Sequence, residues 1–355
     1  MTEIAFITDI HFGARNNNQF FLDRYEEFFN NTFFPTLDER NIKDVIILGD
    51  TWEHRKQLNL LTISRAQSMF FAPLSQRNIN VKIIYGNHDC YHKNTNSINS
   101  VDFLGEMYAN VEIIPETAVF NYNGTRIALV SWINSENYNR MTRFIETVPA
   151  EILAGHFEIK TFELVRGHEN RSGFDKEFFN RFESVYSGHF HIQSHSLNIK
   201  YLGNPFQTNW SDFNEKKGFH ILNTQTKQLE FIENSNEIYQ GIHYSDETPL
   251  DFNYRDYTNN IVRVFIDSYF DVNQDRLNIF TEKLGVFAFT VEVVERNTFL
   301  LEKYKDDGQH EGIGTKELIN QYINSTIDHK HFDTQTLRGM LFDLYDRALL
   351  EEVDE

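Results

Sequence analysis

Short apolar runs alternate with longer amphipathic stretches over the first hundred residues, the pattern of an α/β layered domain. Residues 4–8, 44–48 (DVIIL) and 81–85 (VKIIY) predict strands, each ending at a polar turn. Between them, residues 20–34 and about 60–76 have helical length and apolar spacing, so the crossovers should make neighbouring strands parallel. After residue 110 the texture changes. Residues 111–114, 117–121, 126–130, 151–154, 184–186, 200–202 and 218–222 predict short, closely spaced strands with few helices between them. They point to a second sheet packed on the first. From about residue 248 a smaller unit follows: a strand at 261–267 (IVRVFID), a helix at 273–284 and a strand at 287–295 (FAFTVEVVE), a small β-α-β module.

Residues 297–312, with KDDGQHEG in their middle, read as a linker. Two helices follow. Thr315 can cap a stretch with Leu318, Ile319, Tyr322 and Ile323 on one face, and Asp333 or Thr334 can start another with Leu337, Leu341, Leu344 and Ala348. The expected organisation is a main domain over 1–247, a small domain over 248–296, the linker, and a helical hairpin over 313–355. Such a hairpin either grips a partner or folds back on its own domain.

Composition narrows the class. With 355 residues the chain can bury a core without disulfides or a structural metal. Its single cysteine, Cys90, excludes a disulfide framework and a thiolate zinc cluster and points to a reducing, cytoplasmic setting. The opening residues lack the basic and apolar regions of a signal peptide, and no run approaches ~18 apolar residues, so neither secretion nor membrane spanning is expected. A net charge of -19 argues against a bulk polyanion binder. It does not exclude a nucleic-acid enzyme, because divalent cations reverse the local sign of a cleft lined by carboxylates and imidazoles.

Five motifs carry the chemistry: Thr8-Asp9-Ile10-His11, Gly49-Asp50, Gly86-Asn87-His88-Asp89, Gly155-His156 and Gly188-His189-Phe190-His191. Each falls at the end of an apolar run, where loops from several strands converge on one crevice. Four of the 17 glycines directly precede these groups, which lets the backbone turn tightly and approach an ion or phosphate. Asp9, Asp50, Asn87, His11, His156, His189 and His191 offer two carboxylates, an amide oxygen and four imidazoles. This sulfur-free set suits Mn²⁺, Fe²⁺ or Mg²⁺, with Zn²⁺ also accommodated. Seven ligands exceed what one catalytic ion with open positions needs and fit two ions sharing a bridging carboxylate, the arrangement used in phosphoester hydrolysis. Any one motif alone is weak; five in order at strand ends are specific.

These motifs resemble those of the calcineurin-like metallophosphoesterases. Their order and their spacing to Leu202-Gly203-Asn204-Pro205 resemble the SbcD-type DNA repair exonucleases, and the hairpin from Thr315 onward resembles that of the recombination endonuclease subunits of T-even phages. The likeness implies an α/β (α+β) fold: a two-sheet αββα sandwich with a β-α-β capping domain and a C-terminal helical hairpin. It implies that Asp9, His11 and His191 hold one ion, that Asn87, His156 and His189 hold the other, and that Asp50 bridges them. His88 is then the imidazole that protonates the leaving oxygen, and Asp89 either orients His88 or caps a turn. Mn²⁺ is the expected ion.

The resemblance further implies 3′-to-5′ exonuclease activity on double-stranded DNA and endonuclease activity on single strands. It implies a capping domain that steers DNA, a hairpin that grips an SbcC-like coiled-coil ATPase, dimerisation through the catalytic domain, and action in the cytoplasm, of a bacterial host if the gene is a phage's. One departure stands out. Three residues after the bridging Asp the family commonly has Asp or His, whereas here Trp52 is followed by Glu53 and His54, either of which can take the supporting role. Two other readings keep the same residues: a phosphoesterase for small phosphodiesters or nucleotides, and a catalytically silent DNA-end-tethering subunit.

Overall fold

The computed structural model describes residues 3–165, 168–249, 251–269, 271–295 and 338–341. The expected linker over 297–312 lies outside them. So does the hairpin over 313–355, apart from a helical turn at 338–341.

Alternation of side chains sets the layers. In the strand Glu3–Ile7, Ile4 and Phe6 face one way and Ala5 and Ile7 the other, and all four are buried, as a strand covered on both faces requires. It pairs in parallel with Asp44–Ile47, and the sheet continues in parallel through Asn80–Ile84 to Val111–Ile114. On the opposite edge Gly218–Asn223 and then Leu229–Glu233 add antiparallel strands, giving six in all. The second sheet runs Ser194–Ser196, Ile199–Tyr201, Ser184–Gly188, Ile152–His156, Thr125–Val130, Thr117–Tyr122. Ile4, Phe6, Ile46 and Leu48 of the first sheet meet Ile127, Leu129, Ile152 and Ala154 of the second in the central core.

Helices cover the outer faces. Phe33 meets Phe219 at 4.8 Å between ring centroids behind the first sheet, and Met141 and Ile145 of the helix Tyr138–Thr147 join Leu153 and Val185 behind the second. The result is the expected αββα sandwich. Two expected members of the second sheet, residues 111–114 and 218–222, belong instead to the first. Periodicity marks a strand but not its partner, and the edge beside Glu3–Ile7 is closed by a segment more than two hundred residues away.

The helix Tyr138–Thr147 and the hairpin Cys90–His92/Thr95–Asn99 were not expected from the sequence pattern. The second long helix fills its expected span and the first runs five residues past its expected end. Gln19–Phe28 passes through a π turn at Phe29–Phe33 into Phe34–Glu39, and Leu60–Ala66 passes through another at Gln67–Phe71 into Ala72–Gln76. Pro35 and Pro73 open the segments that follow these turns. Proline has no N–H to donate and clashes with the preceding turn, and a local widening accommodates both defects.

Residue contacts divide the chain into two units. The first comprises Met1–Thr208 and Asp212–Ile238 and holds both sheets; the second comprises Asn209–Ser211 and residues from Tyr239 onward, ahead of residue 248. The second unit contains three parallel strands, Tyr239–His243, Ile261–Ile266 and Thr290–Glu295. Its helix Gln274–Gly285, capped by Asn273 Oδ1 on the Arg276 N–H, buries Leu277, Phe280 and Leu284 with Val262, Val264 and Ile266. Among the described residues no helix is long and apolar enough to cross a membrane.

Candidate metal centre

The parallel pairing of the first two strands continues beyond their ends and fixes two ligand loops against each other. The N–H groups of Asp9, His11 and Phe12 donate to the carbonyls of Gly49, Asp50 and Thr51 at 3.1, 3.0 and 2.9 Å. Asp9, His11, Asp50 and His189 all take left-handed backbone angles, with φ of 51°, 51°, 48° and 88°. Such conformations cost about 1–3 kcal/mol each and persist where surrounding bonds over-determine them, as these do.

The glycines before the ligands serve the contacts between loops. A Cβ at Gly86 would lie 2.1 Å from Asp50 Oδ1, and one at Gly188 would lie 2.1 Å from Thr8 Oγ1 and 2.8 Å from Asp9 Oδ2. The close approach is therefore to the ligand side chains themselves, whereas the sequence argument had it reserved for an ion or phosphate.

Two clusters result. In one, Asp9 and His191 gather around His11, whose Nε2 lies 3.0 Å from His191 Nε2 and 4.0 Å from Asp9 Oδ1. In the other, His156 Nε2 and His189 Nδ1 each lie 2.9 Å from Asn87 Oδ1. Asp50 sits between the clusters: its Oδ1 accepts the His88 N–H at 2.7 Å, while its Oδ2 lies 3.3 Å from His156 Nε2 and 3.8 Å from His11 Nε2. All seven expected ligands thus converge.

The protonation pattern repeats in both clusters. Burial opposes charge on His11, but Glu53, Asp50 and Asp9 outweigh it and raise the imidazole to about 10. Burial likewise opposes charge on His156, and Asp50 raises it to about 9. His189 falls to about 3 through burial and its neighbour His156, and burial with His11 holds His191 well below its usual range. Burial raises Asp9, while His156 and His88 overcome burial and hold Asp50 well down. Each cluster therefore keeps one imidazole as a bare ligand and one as a cation balancing buried carboxylates.

A divalent ion fits this arrangement. His156 Nδ1 faces the Leu48 carbonyl at 2.8 Å and must carry its proton there, leaving Nε2 as a lone pair when the ring is neutral. That lone pair, His189 Nδ1, Asn87 Oδ1 and Asp50 Oδ2 point at one another, a set of acceptors that a cation satisfies together. With its amide turned over, Asn87 would instead donate to these acceptors and accept from Arg55 Nη2 at 2.9 Å.

Three supporting residues take definite places. Glu53 resolves the choice left open with His54, because its Oε2 lies 2.8 Å from His11 Nδ1. Of the two roles expected for Asp89 it takes the turn cap and extends it: its oxygens accept from the backbone N–H groups of Gly86 in its own turn and of Thr51 and Trp52 at 2.9, 3.0 and 3.3 Å, so it also ties two ligand loops together. The atom that holds His88 Nδ1 is the Glu53 carbonyl at 2.8 Å, not Asp89. Trp52 is fully buried beside Phe12 and Phe71, a packing residue. Cys90 is buried, and burial pushes its thiol up, out of reach of thiolate chemistry.

Sequence reasoning missed three residues. Arg55 reaches Asn87 and, with Lys56 and His88, borders an open pocket. The signal was the basic run His54-Arg55-Lys56 that begins four residues after Asp50. Trp132 lies 5.2 Å from the His189 ring and 5.8 Å from that of His156, and it follows a strand as the ligands do. Lys217, buried with Asp212, donates to Asp212, to Asn204 of the Gly-Asn-Pro element and to the His191 carbonyl at 3.0 Å.

Residues 2–193, more than half of the chain, match the family described as calcineurin-like phosphoesterases. The chain is similar to exonuclease subunit 1 of Enterobacteria phage T4, with 29% identity over 300 residues covering 84% of this chain and 86% of that protein. Among solved structures it is similar to an archaeal phosphodiesterase, with 13% identity and a TM-score of 0.34, covering 66% of this chain and all of that one. It is also similar to a protein of unknown function from Aquifex aeolicus, with 18% identity and a TM-score of 0.28, covering 49% and 83% of the two chains. With its family matched over the segment that carries Asp9 to His191, the chain belongs to the calcineurin-like phosphoesterases, hydrolytic enzymes that use divalent metals.

Proposed function

We propose that the protein is a two-metal DNA nuclease, the catalytic subunit of a recombination or repair complex. The observation that carries the reading is the placement of Asp50 Oδ2 between two imidazole clusters, 3.3 Å from His156 Nε2 and 3.8 Å from His11 Nε2, as a bridging ligand requires. Asp9, His11 and His191 would hold one ion and Asn87, His156 and His189 the other. When bound, the pair would supply an activated water and neutralise the charge developing on the phosphoryl group.

The chain's own residues do the rest. His88 Nδ1–H is fixed on the Glu53 carbonyl, which leaves Nε2 to exchange a proton with the leaving oxygen. Asp50, by accepting the His88 N–H, sets the distance from that imidazole to the ligands. Arg55 and Lys56, next to His88, supply local positive charge on an acidic chain and give a phosphate backbone a place to approach.

The similarity to a phage exonuclease subunit supports a DNA substrate and an assembly with other chains. In the fuller reading the unit that ends at Ile238 is the nuclease, the unit from Tyr239 to about residue 296 a cap that steers DNA, and residues 313–355 the contact with an SbcC-like coiled-coil ATPase, with two nucleases pairing through their catalytic domains. Manganese is the expected metal.

The test is cleavage of labelled linear double-stranded and single-stranded DNA by the purified protein with Mn²⁺, with Mg²⁺ and with chelator, beside His88→Ala. Manganese-dependent cutting lost in the variant is the expected result. Hydrolysis of a small phosphodiester without DNA cutting, even with the ATPase added, would replace the nuclease by a small-substrate phosphoesterase. A partner-dependent role untouched by His88→Ala would favour the tethering subunit.

A further inference from the structure

Beside the His156–His189 pair a cleft of about 200 Å³ opens that the reading above leaves unused. Trp132, Tyr138 and Phe174 line it together with His156, Glu158 and Gly173. The Tyr138 and Phe174 rings are parallel within 1° at a centroid separation of 5.8 Å, and Phe178 prolongs the stack at 5.1 Å and 15°. Tyr138 is 49% exposed, so core packing does not explain its ring. Trp132 is held from both sides of its peptide: its N–H donates to the Tyr85 carbonyl at 2.8 Å, and its own carbonyl accepts from Asn96 Nδ2 and Asn137 Nδ2, both at 3.0 Å.

We propose that this cleft binds the nucleobase of the nucleotide adjoining the scissile phosphate. The inference deepens the nuclease reading and rests on it for the identity of the substrate. His156 belongs both to the cleft and to the candidate metal cluster, so a nucleoside whose phosphate sits at that cluster has the cleft as its neighbour. Flat aromatic walls take the face of any base, which is how strands are gripped without regard to sequence. Glu158 in the lining repels a phosphate. The backbone is thereby kept at the metal ligands and Arg55, and the uncharged base enters the cleft.

The experiment compares two small esters with a common leaving group on the manganese-loaded full-length protein: the 4-nitrophenyl ester of thymidine 5′-monophosphate and methyl 4-nitrophenyl phosphate, which lacks a base. Wild type should prefer the thymidine ester about tenfold in kcat/KM, the stacking of one base being the difference. Tyr138→Ala, at an exposed position, should reduce that preference severalfold through KM. Thymidine 5′-monophosphate should quench the fluorescence of wild type and not that of Trp132→Leu, a readout that needs no turnover. Equal kcat/KM for the two esters, a preference unchanged in Tyr138→Ala, or absence of quenching would overturn the base site even if DNA is cut. A preference lost in Tyr138→Ala together with DNA left uncut even with the ATPase added would sustain the base site and overturn the nuclease reading.

Discussion

Glu53 Oε2 lies 2.8 Å from His11 Nδ1, and by favouring the imidazolium this pair keeps a second proton on Nε2, the atom that faces His191, Asp9 and Asp50 and for which a metal ion has to compete. His11 is raised from 6.5 to about 10 without a metal. The stabilisation it gives the metal-free protein is therefore complete below 6.5 and lost as pH rises through about 10. Metal binding at neutral pH should release protons, and affinity should climb between pH 7 and 9. Titration calorimetry with Mn²⁺ in buffers of different ionisation enthalpy measures both. Glu53→Gln should flatten the pH dependence, and an unchanged slope would count against the pair.

Lys217 and Asp212 form a buried pair with 3% and 2% side-chain exposure. Removing one partner strands the other charge, which typically costs about 3–5 kcal/mol. Lys217→Met should lose that much stability in urea unfolding and should weaken Mn²⁺ binding, since Lys217 holds the loop of His191. The double variant Lys217→Met/Asp212→Leu should recover stability more than metal affinity.

Gly86 faces Asp50 so closely that a methyl group cannot fit. Gly86→Ala should displace Asp50 and lower Mn²⁺ affinity by tenfold or more, on the order of 1.4 kcal/mol. Gly124, with φ +96° and nothing within 4 Å of an added Cβ, is the control. Alanine there should cost only the local backbone strain of about 1–2 kcal/mol and leave binding unchanged. Calorimetry on both variants separates the two effects.

Cys90 is 1% exposed. Burial raises its thiol, so a disulfide reagent at pH 8 should label the protein only after unfolding. Rapid labelling of the native protein would contradict this environment.

Residues 313–355 carry the proposed ATPase contact. Their deletion should abolish co-purification with that ATPase and leave Mn²⁺ binding by the remaining chain unchanged. Retained co-purification would remove the assignment.

The ligands were legible in the sequence because each follows an apolar run and most follow a glycine, and strand ends converge whatever the order of strands in the sheet. Gly218–Asn223 was legible as a strand but not as the neighbour of Glu3–Ile7, since pairing depends on tertiary geometry that a period of two does not encode. Of the two roles open to Asp89 beside His88 it takes the turn cap, with one oxygen on the Gly86 N–H, while its bond to Thr51 in another loop was not legible from its own motif. Trp132 lies two residues past the expected strand at 126–130 and has no Asp, Asn or His beside it to mark a ligand loop. Its position over two histidines follows from the register of two strands side by side, Thr125–Val130 and Ile152–His156.

The π turns at 29–33 and 67–71 bear on how this scaffold can change length. Each holds a surplus residue that rotates everything after it by about 100° relative to an uninterrupted coil. Phe34 and Leu37 after the first turn, and Leu74 after the second, are buried in that rotated setting. Deleting the surplus residue from either turn would restore a regular helix and leave those side chains facing the sheet, because the loss of one residue equals the rotation that the turn imposes. A single-residue deletion is therefore accommodated at the π turns, whereas one in the coils that follow them would turn Phe34, Leu37 or Leu74 out of the setting they hold beside the strands that carry the metal ligands.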